Sequence, residues 1–295
     1  MFHVEHQLKN ILYCPVCKAK EKEKHLLVVD HNVSNDVFTI TKCCKCGFLF
    51  TNPIPTKETI GNYYKSNNYI SHSGTKKGLI NYIYHFVRNY QLFKKERLIS
   101  NLSNEKTLLD IGCGTGEFLS YCKNKGWNTV GTEPDLQTRE RIKNLTIFPG
   151  LNSKELRENS FSIVTMWHVL EHVYDLEDDL KTISSLIKKG GYLIVAVPNH
   201  ESFDAKIYKE NWVAYDVPIH LYHFRKKDIK ALFSKFNFEL SNIKPLIFDA
   251  YYISLLSEKK KGGNFILGLL NGLKSNLKAK NKLNHSSLIY ILKKL

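Results

Sequence analysis

The sequence predicts an α/β fold, a doubly wound and mostly parallel sheet, with a small cysteine-bearing module in front of it and a helical lid between the two. Three observations predict it. Leu108-Leu109-Asp110-Ile111 runs into Gly112-Cys113-Gly114-Thr115-Gly116 and then into the amphipathic Glu117-Phe118-Leu119, which describes a strand, a tight turn and a helix. A second strand, 128–133, ends in the acid Glu133, 17 residues after Gly116. Apolar runs near 107–111, 128–133, 145–149, 161–167 and 192–198 alternate with helical patterns near 116–125, 135–143 and 176–188. Such alternation joins parallel strands through crossover helices and places ligands at the strands' carboxyl ends.

A helix over 226–236 and strands near 238–246 and 248–255 complete a seven-stranded sheet within a domain spanning 105–257. Ahead of it, 53–104 forms a lid or linker. Tyr82, His85, Phe86, Asn89, Tyr90 and Phe93 fall at helical spacings and predict a helix from about Gly78 to Ile99. The domain is interrupted by an insertion at 199–225, dense in aromatic and ionisable residues and bounded by proline. Loops of that length inside a domain tend to be functional. The stretch 258–295 reads as a basic amphipathic tail, with Phe265, Leu269, Leu273 and Leu277 on one helical face.

The glycine turn narrows the ligand. Gly-Lys-Ser/Thr is absent, so a phosphate-binding P-loop is excluded. The dinucleotide fingerprint spaces its third glycine one residue further on. Asp110 beside the turn repels a pyrophosphate and suits a nucleoside carrying an ammonium group and no phosphate, the character of S-adenosylmethionine. Glu133 is then placed to accept from ribose hydroxyls. On these residues the chain resembles the class I S-adenosylmethionine-dependent methyltransferases of the small-molecule type (methyltransferase 11/12/23-like), whose first motif is matched by Asp110 to Gly116 and whose ribose acid is matched by Glu133.

The resemblance continues over roughly 150 residues. Phe161 to Val173 looks like the fourth strand and the turn after it, and Leu186 to Asn199 like the Gly-Gly turn and fifth strand. It implies a Rossmann-like sheet and a cofactor site of Asp110, Gly112, Cys113, Gly114, Gly116, Glu133, Pro134, Trp167 and His168. The segment before the first strand is expected to cover the cofactor, with Tyr69 and His72 toward the acceptor.

Two Cys-x-x-Cys pairs, Cys14/Cys17 and Cys43/Cys46, stand 25 residues apart. This spacing matches a structural zinc site of four thiolates, in a zinc ribbon spanning 1–52. Cys44 is left free. Four thiolates leave no open coordination position, so the role is structural rather than catalytic.

Methyl transfer from a sulfonium is an in-line displacement in which alignment supplies much of the acceleration. A hydroxyl acceptor must also lose a proton, for which histidine is the usual base. The base candidates are His168, Glu171 and His172, just past strand four, and Asp216, His220 and His223 in the insertion. Of these His172, Asp216 and His220 are expected to be catalytic, with Asp216 orienting His220, and His223 is expected to touch the acceptor. The expected acceptor is a small polar metabolite, a sugar or lipid-linked sugar, methylated on oxygen.

The net charge is +15, of which 258–295 carries +8, so more than half of the excess lies outside the expected catalytic domain. That weakens a nucleic-acid partner. An RNA methyltransferase is the alternative, but Asn/Asp-Pro-Pro-Tyr/Phe after strand four and a Pro-Cys pair are both absent. A non-catalytic scaffold is the third reading, opposed by the intact Asp110 and Glu133. No secretory signal and no apolar run of membrane-spanning length are seen, and the cysteines are grouped for metal. The expected location is cytoplasmic, with the tail either in peripheral contact with the inner membrane surface or docked as a terminal helix on its own protein or a partner.

Overall fold

The computed structural model describes residues 7–64 and 79–295. The N-terminal part contains β1 (Leu8–Lys9), β2 (Lys22–Val29), β3 (Val37–Cys43), β4 (Leu49–Thr51) and β5 (Ile54–Pro55). The helix α1 (Leu79–Ser100) leads into β6 (Thr107–Ile111), α2 (Glu117–Asn124), β7 (Asn128–Thr132), α3 (Leu136–Arg141), β8 (Thr146–Phe148) and β9 (Phe161–Trp167). The chain continues through α4 (Leu176–Leu186), β10 (Ile187–Pro198), α5 (Phe203–Tyr208), β11 (Tyr222–His223), α6 (Lys226–Phe233) and β12 (Phe238–Pro245). It closes with α7 (Ile247–Lys261), α8 (Phe265–Ala279) and β13 (Ser287–Lys294).

The main sheet has seven strands in the order β12-β13-β10-β9-β6-β7-β8. The pairings from β10 to β8 are parallel, and β13 runs antiparallel to both of its neighbours. This is the doubly wound, mostly parallel sheet read from the sequence. Its central strands are apolar on both faces, as helices on both sides require: β9 is buried from Phe161 to Met166 and β13 from Ser287 to Leu292. The strand order reverses at β6, so the crevice at its carboxyl end, where Gly112–Gly116 lies, is the expected ligand position.

Two expectations are corrected. The strand placed at 248–255 is part of helix α7. Its buried residues Ala250, Ile253, Ser254 and Ser257 recur at helical spacing, and three of these four are small, which hides the helical period. The seventh strand comes instead from Ser287–Lys294, inside the stretch expected to be a tail. Residues 258–295 therefore divide: α8 is an amphipathic basic helix, whereas β13 is a core strand of the sheet, and the domain does not stop at 257.

The insertion 199–225 is not a free loop. Its strand β11 pairs with β4, giving the N-terminal module a four-stranded sheet in the order β11-β4-β3-β2. Trp212, buried at 1% exposure, packs there beside Tyr208, Tyr215, Val28 and Leu49. The Trp212 indole donates to Asp204 Oδ2 (2.7 Å), while the Ser275 and Ser286 hydroxyls donate to Asp204 Oδ1 (2.6 and 2.7 Å), which ties the insertion to α8 and to the approach to β13.

Candidate active site

The glycine turn takes the form its sequence demands. Gly112 and Gly114 have φ of +65° and +54°, in the left-handed region that side chains avoid. A Cβ on Gly112 would stand 2.6 Å from Val169 Cγ2, so that glycine serves close packing. A Cβ on Gly114 would meet nothing within 4 Å and would project into the open crevice. Glu133, at the end of β7, reaches over this turn: its carboxylate accepts from the amides of Gly114 and Asp135, each at 3.0 Å. Arg139 Nη1 donates to the carbonyls of Glu133 and Pro134, holding the corner that presents the acid.

Asp110 is buried and accepts from Thr165 Oγ1 at 2.6 Å. Burial pushes its carboxyl up to about 7, against the pull of the Thr165 bond and the Lys95 ammonium. Lys95 lies over the Trp167 ring, 4.2 Å from its centroid, and the buried Trp167 Nε1 has no hydrogen-bond partner among the described residues. The open face of Gly114, the reach of Glu133 and this orphaned indole N–H fit a nucleoside cofactor bound where the sequence places one. Cys113 contributes its amide to the carbonyl of Thr132 (2.9 Å), and burial raises its thiol to about 12, which makes it a packing residue.

His168 follows β9 with φ of +56°, and its ring is clamped between carboxylates: Nδ1 is 3.4 Å from Glu171 Oε1 and Nε2 is 3.0 Å from Asp249 Oδ2. Burial opposes its charge, but Asp249 and Glu171 together hold it protonated, up to about 10. It thus links β9 to α7 through two carboxylates.

The catalytic candidates gather differently from expectation. His172 and His220 pack edge to face with ring centroids 4.5 Å apart, and Glu171 completes a compact group with them. Asp216 does not orient His220. It ends a turn with φ of +33°, and its Oδ1 accepts from Asn32 of the N-terminal module (2.9 Å). Only its main-chain carbonyl meets His220, through the amide, while His220 Nδ1 lies 2.9 Å from the Ala214 carbonyl. The acid beside His220 is therefore Glu171, 1% exposed. Burial and the neighbouring His220 lower His172 to about 4, and burial lowers His220 as well.

His223 stands apart from that group. It is buried on β11, with Nε2 3.2 Å from Thr51 Oγ1 and its ring against Tyr215, so it belongs to the seam with the N-terminal module rather than to an acceptor contact. Tyr69 and His72 lie outside the described residues. Sequence reasoning missed Thr165, Lys95 and Asp249. Thr165 and Lys95 carry no motif, and Asp249 was hidden by the misreading of α7.

In the N-terminal module the four expected cysteines come together. Cys17 and Cys43 Sγ are 3.5 Å apart and Cys14 and Cys46 Sγ 3.6 Å, with all four sulfurs in one cluster. The amide of Cys17 donates back to Cys14 Sγ, as in a thiolate knuckle. Cys44 is exposed and outside the cluster.

A parallel sheet with this order, a glycine crevice at its switch point and a carboxylate reaching over it define a class I S-adenosylmethionine-dependent methyltransferase. The chain belongs to the methyltransferase domain family, which it matches over residues 84–242. It is 29% identical over 150 residues to an uncharacterized protein of Methanocaldococcus jannaschii, covering 50% of this chain and 65% of that one. It is 30% identical over 101 residues to the ubiquinone biosynthesis O-methyltransferase of Rhizobium etli, covering 31% of this chain and 41% of that one. The matches thus span between two fifths and two thirds of those relatives' lengths. Among solved structures, the phospholethanolamine N-methyltransferase 2 of Haemonchus contortus superposes with a TM-score of 0.50 at 17% identity, over 92% of this chain and 68% of that one, a likeness of fold.

Proposed function

We propose that the protein transfers a methyl group from S-adenosylmethionine to a hydroxyl of a small polar metabolite, with a sugar or lipid-linked sugar as the acceptor class. The observation that carries this reading is the buried group of Glu171, His172 and His220 at the carboxyl end of β9, next to the glycine crevice. Oxygen as the acceptor atom is supported by the name of the Rhizobium relative, an O-methyltransferase.

Glu133 and the amides of the glycine turn would hold the cofactor, which when bound supplies an electrophilic methyl on sulfur. The chain's own residues align the acceptor and exclude water: the insertion is packed against the N-terminal module, and Tyr64, whose hydroxyl lies 3.1 Å from His172 Nδ1, covers the group from the lid side. The acceptor hydroxyl is activated at His172 and His220, with the Glu171 carboxylate countering positive charge that develops there. We also propose that the four-cysteine cluster holds a structural zinc ion, whose binding stabilises a module too small to fold on its own core.

The test is calorimetry with S-adenosylmethionine, followed by incubation with labelled methyl donor and fractionated extract containing metabolites, lipid-linked sugars and RNA. Label in the metabolite or lipid-linked fraction, lost in His220→Ala with cofactor affinity retained, supports the reading. Label in RNA alone, or full turnover by His220→Ala, overturns it.

A further inference from the structure

The geometry points to a second metal site, for one divalent transition ion, formed by Glu171, His172 and His220. A ligand atom from each of the three lies within 4.8 Å of the other two. Both histidines face main-chain carbonyls through Nδ1: His220 lies 2.9 Å from Ala214 O, and His172 lies 3.1 Å from Ile219 O, with the Tyr64 hydroxyl also 3.1 Å from that nitrogen and able to accept. With each Nδ1–H donated, each Nε2 carries a lone pair, the tautomer that metal-bound histidines adopt.

Glu171 adds the third acceptor. It is 1% exposed, Oε2 has no hydrogen-bond partner among the described residues, and Oε1 has only the 3.4 Å ion pair with His168. A buried carboxylate beside two imidazole lone pairs, with no donor among them, is unfavourable unless a cation joins them. His168 carries positive charge next to Oε1, but Asp249 holds its other nitrogen, and Asp216 adds negative charge on the His172 side. Two imidazoles and one carboxylate favour Fe2+, Mn2+, Co2+ or Zn2+ and leave coordination positions open. An ion there binds an acceptor hydroxyl and lowers its pKa, the proton leaving to water.

The site is tested without donor or acceptor, so the outcome is independent of the methyl-transfer reading. Full-length protein is titrated with Mn2+, with the free ion followed by electron paramagnetic resonance. Mn2+ is a hard ion that the thiolate cluster does not retain, so it reports on this site alone. One Mn2+ bound per chain is expected, with affinity falling about tenfold or more in Glu171→Gln and in His220→Gln, while both variants still bind S-adenosylmethionine. Wild-type protein that takes up neither Mn2+ nor any Zn2+ beyond the four-cysteine equivalent, or variants that bind Mn2+ like wild type, would overturn the proposal.

Helix α8 carries a separate inference, because it buries its small residues and displays its large ones. Gly268, Gly272, Ser275, Asn276 and Ala279 face inward, and the two glycines lie against the backbone of Leu255 and Tyr251. Outward stand Phe265 (67% exposed), Ile266 (68%), Leu269, Leu270, Leu273 and Leu277. Lys259, Lys261, Lys274, Lys278, Lys280 and Lys282 are exposed around them, and no acid occurs after Glu258. We infer that this face docks on an anionic lipid surface, the cation-rimmed apolar helix being complementary to it. Helix α7, against which α8 packs, carries Asp249 into the candidate site, so a lipid-linked acceptor would be held one helix away. Full-length protein should float with phosphatidylglycerol-containing vesicles and not with phosphatidylcholine alone, and Leu269→Glu with Leu273→Glu should abolish flotation. Absence of flotation, or a wild-type dimer that the same pair of substitutions dissociates, would overturn the inference in favour of a protein partner.

Discussion

Replacing Asp110 by asparagine should make the protein more stable while weakening its hold on the cofactor. Asp110 is 3% exposed, and burial holds its carboxyl at about 7 where 3.8 is its ordinary value. The folded-state value lies above the unfolded one, so this group favours folding in acid. Below pH 3.8 the carboxyl is protonated in both states. As pH climbs toward 7 stability is lost, because the unfolded chain ionises freely and the fold must either keep the proton or bury a charge. The full difference is about 4 kcal/mol above that range. Asparagine has the same shape, does not ionise, and its amide oxygen can keep the 2.6 Å bond from Thr165. The expected gain is about 2–4 kcal/mol at about pH 8 and near zero at about pH 4. Urea denaturation of both proteins at both pH values measures it, with calorimetry recording the lost cofactor affinity. A variant less stable than wild type at the higher pH, or a difference that does not change with pH, would refute the reasoning.

Gly114→Ala should lower cofactor affinity about tenfold or more with a loss of only about 1 kcal/mol in stability, because its methyl enters the open crevice. Gly112→Ala should show the opposite balance, since its methyl collides with Val169; thermal melts and calorimetry on the two variants separate the effects. Glu133→Gln should weaken the cofactor by about 1–3 kcal/mol, read by calorimetry, because an ionised acceptor poised over the Gly114 amide is lost. Asp204→Ala should cost at least about 3 kcal/mol in chemical denaturation, leaving Trp212, Ser275 and Ser286 with buried donors and no acceptor.

Much of the frame was legible because its signals are local. Leu108 to Leu119 specifies strand, turn and helix within a few residues, and β9 is a short, mostly apolar segment buried from Phe161 to Met166. What escaped depends on partners distant in the chain. Helix α7 buries Ala250, Ser254 and Ser257 beside Ile253, and the glycines of α8 lie on the α7 backbone at Tyr251 and Leu255, a close contact that hides the usual amphipathic signal. β13 was obscured by the lysines and polar turn before it. At the site, all four cysteines and both histidines were found, but the acid was misassigned. Asp216 lies four residues from His220 in sequence yet turns to Asn32, while Glu171, distant in sequence, lies beside His220 through the turn after β9. His223 followed the same rule, being claimed by Thr51.

The place of β13 between β12 and β10 has a consequence for how the chain matures. Neither neighbour can complete its ladder until residues 287–294 arrive, so this side of the sheet waits for a strand made after α7 and α8. Until then the apolar edge of β10 stands open, and the nascent domain must be shielded or kept from collapsing wrongly. A nonsense change that removes only this last strand should therefore yield aggregate, not a shortened but soluble enzyme.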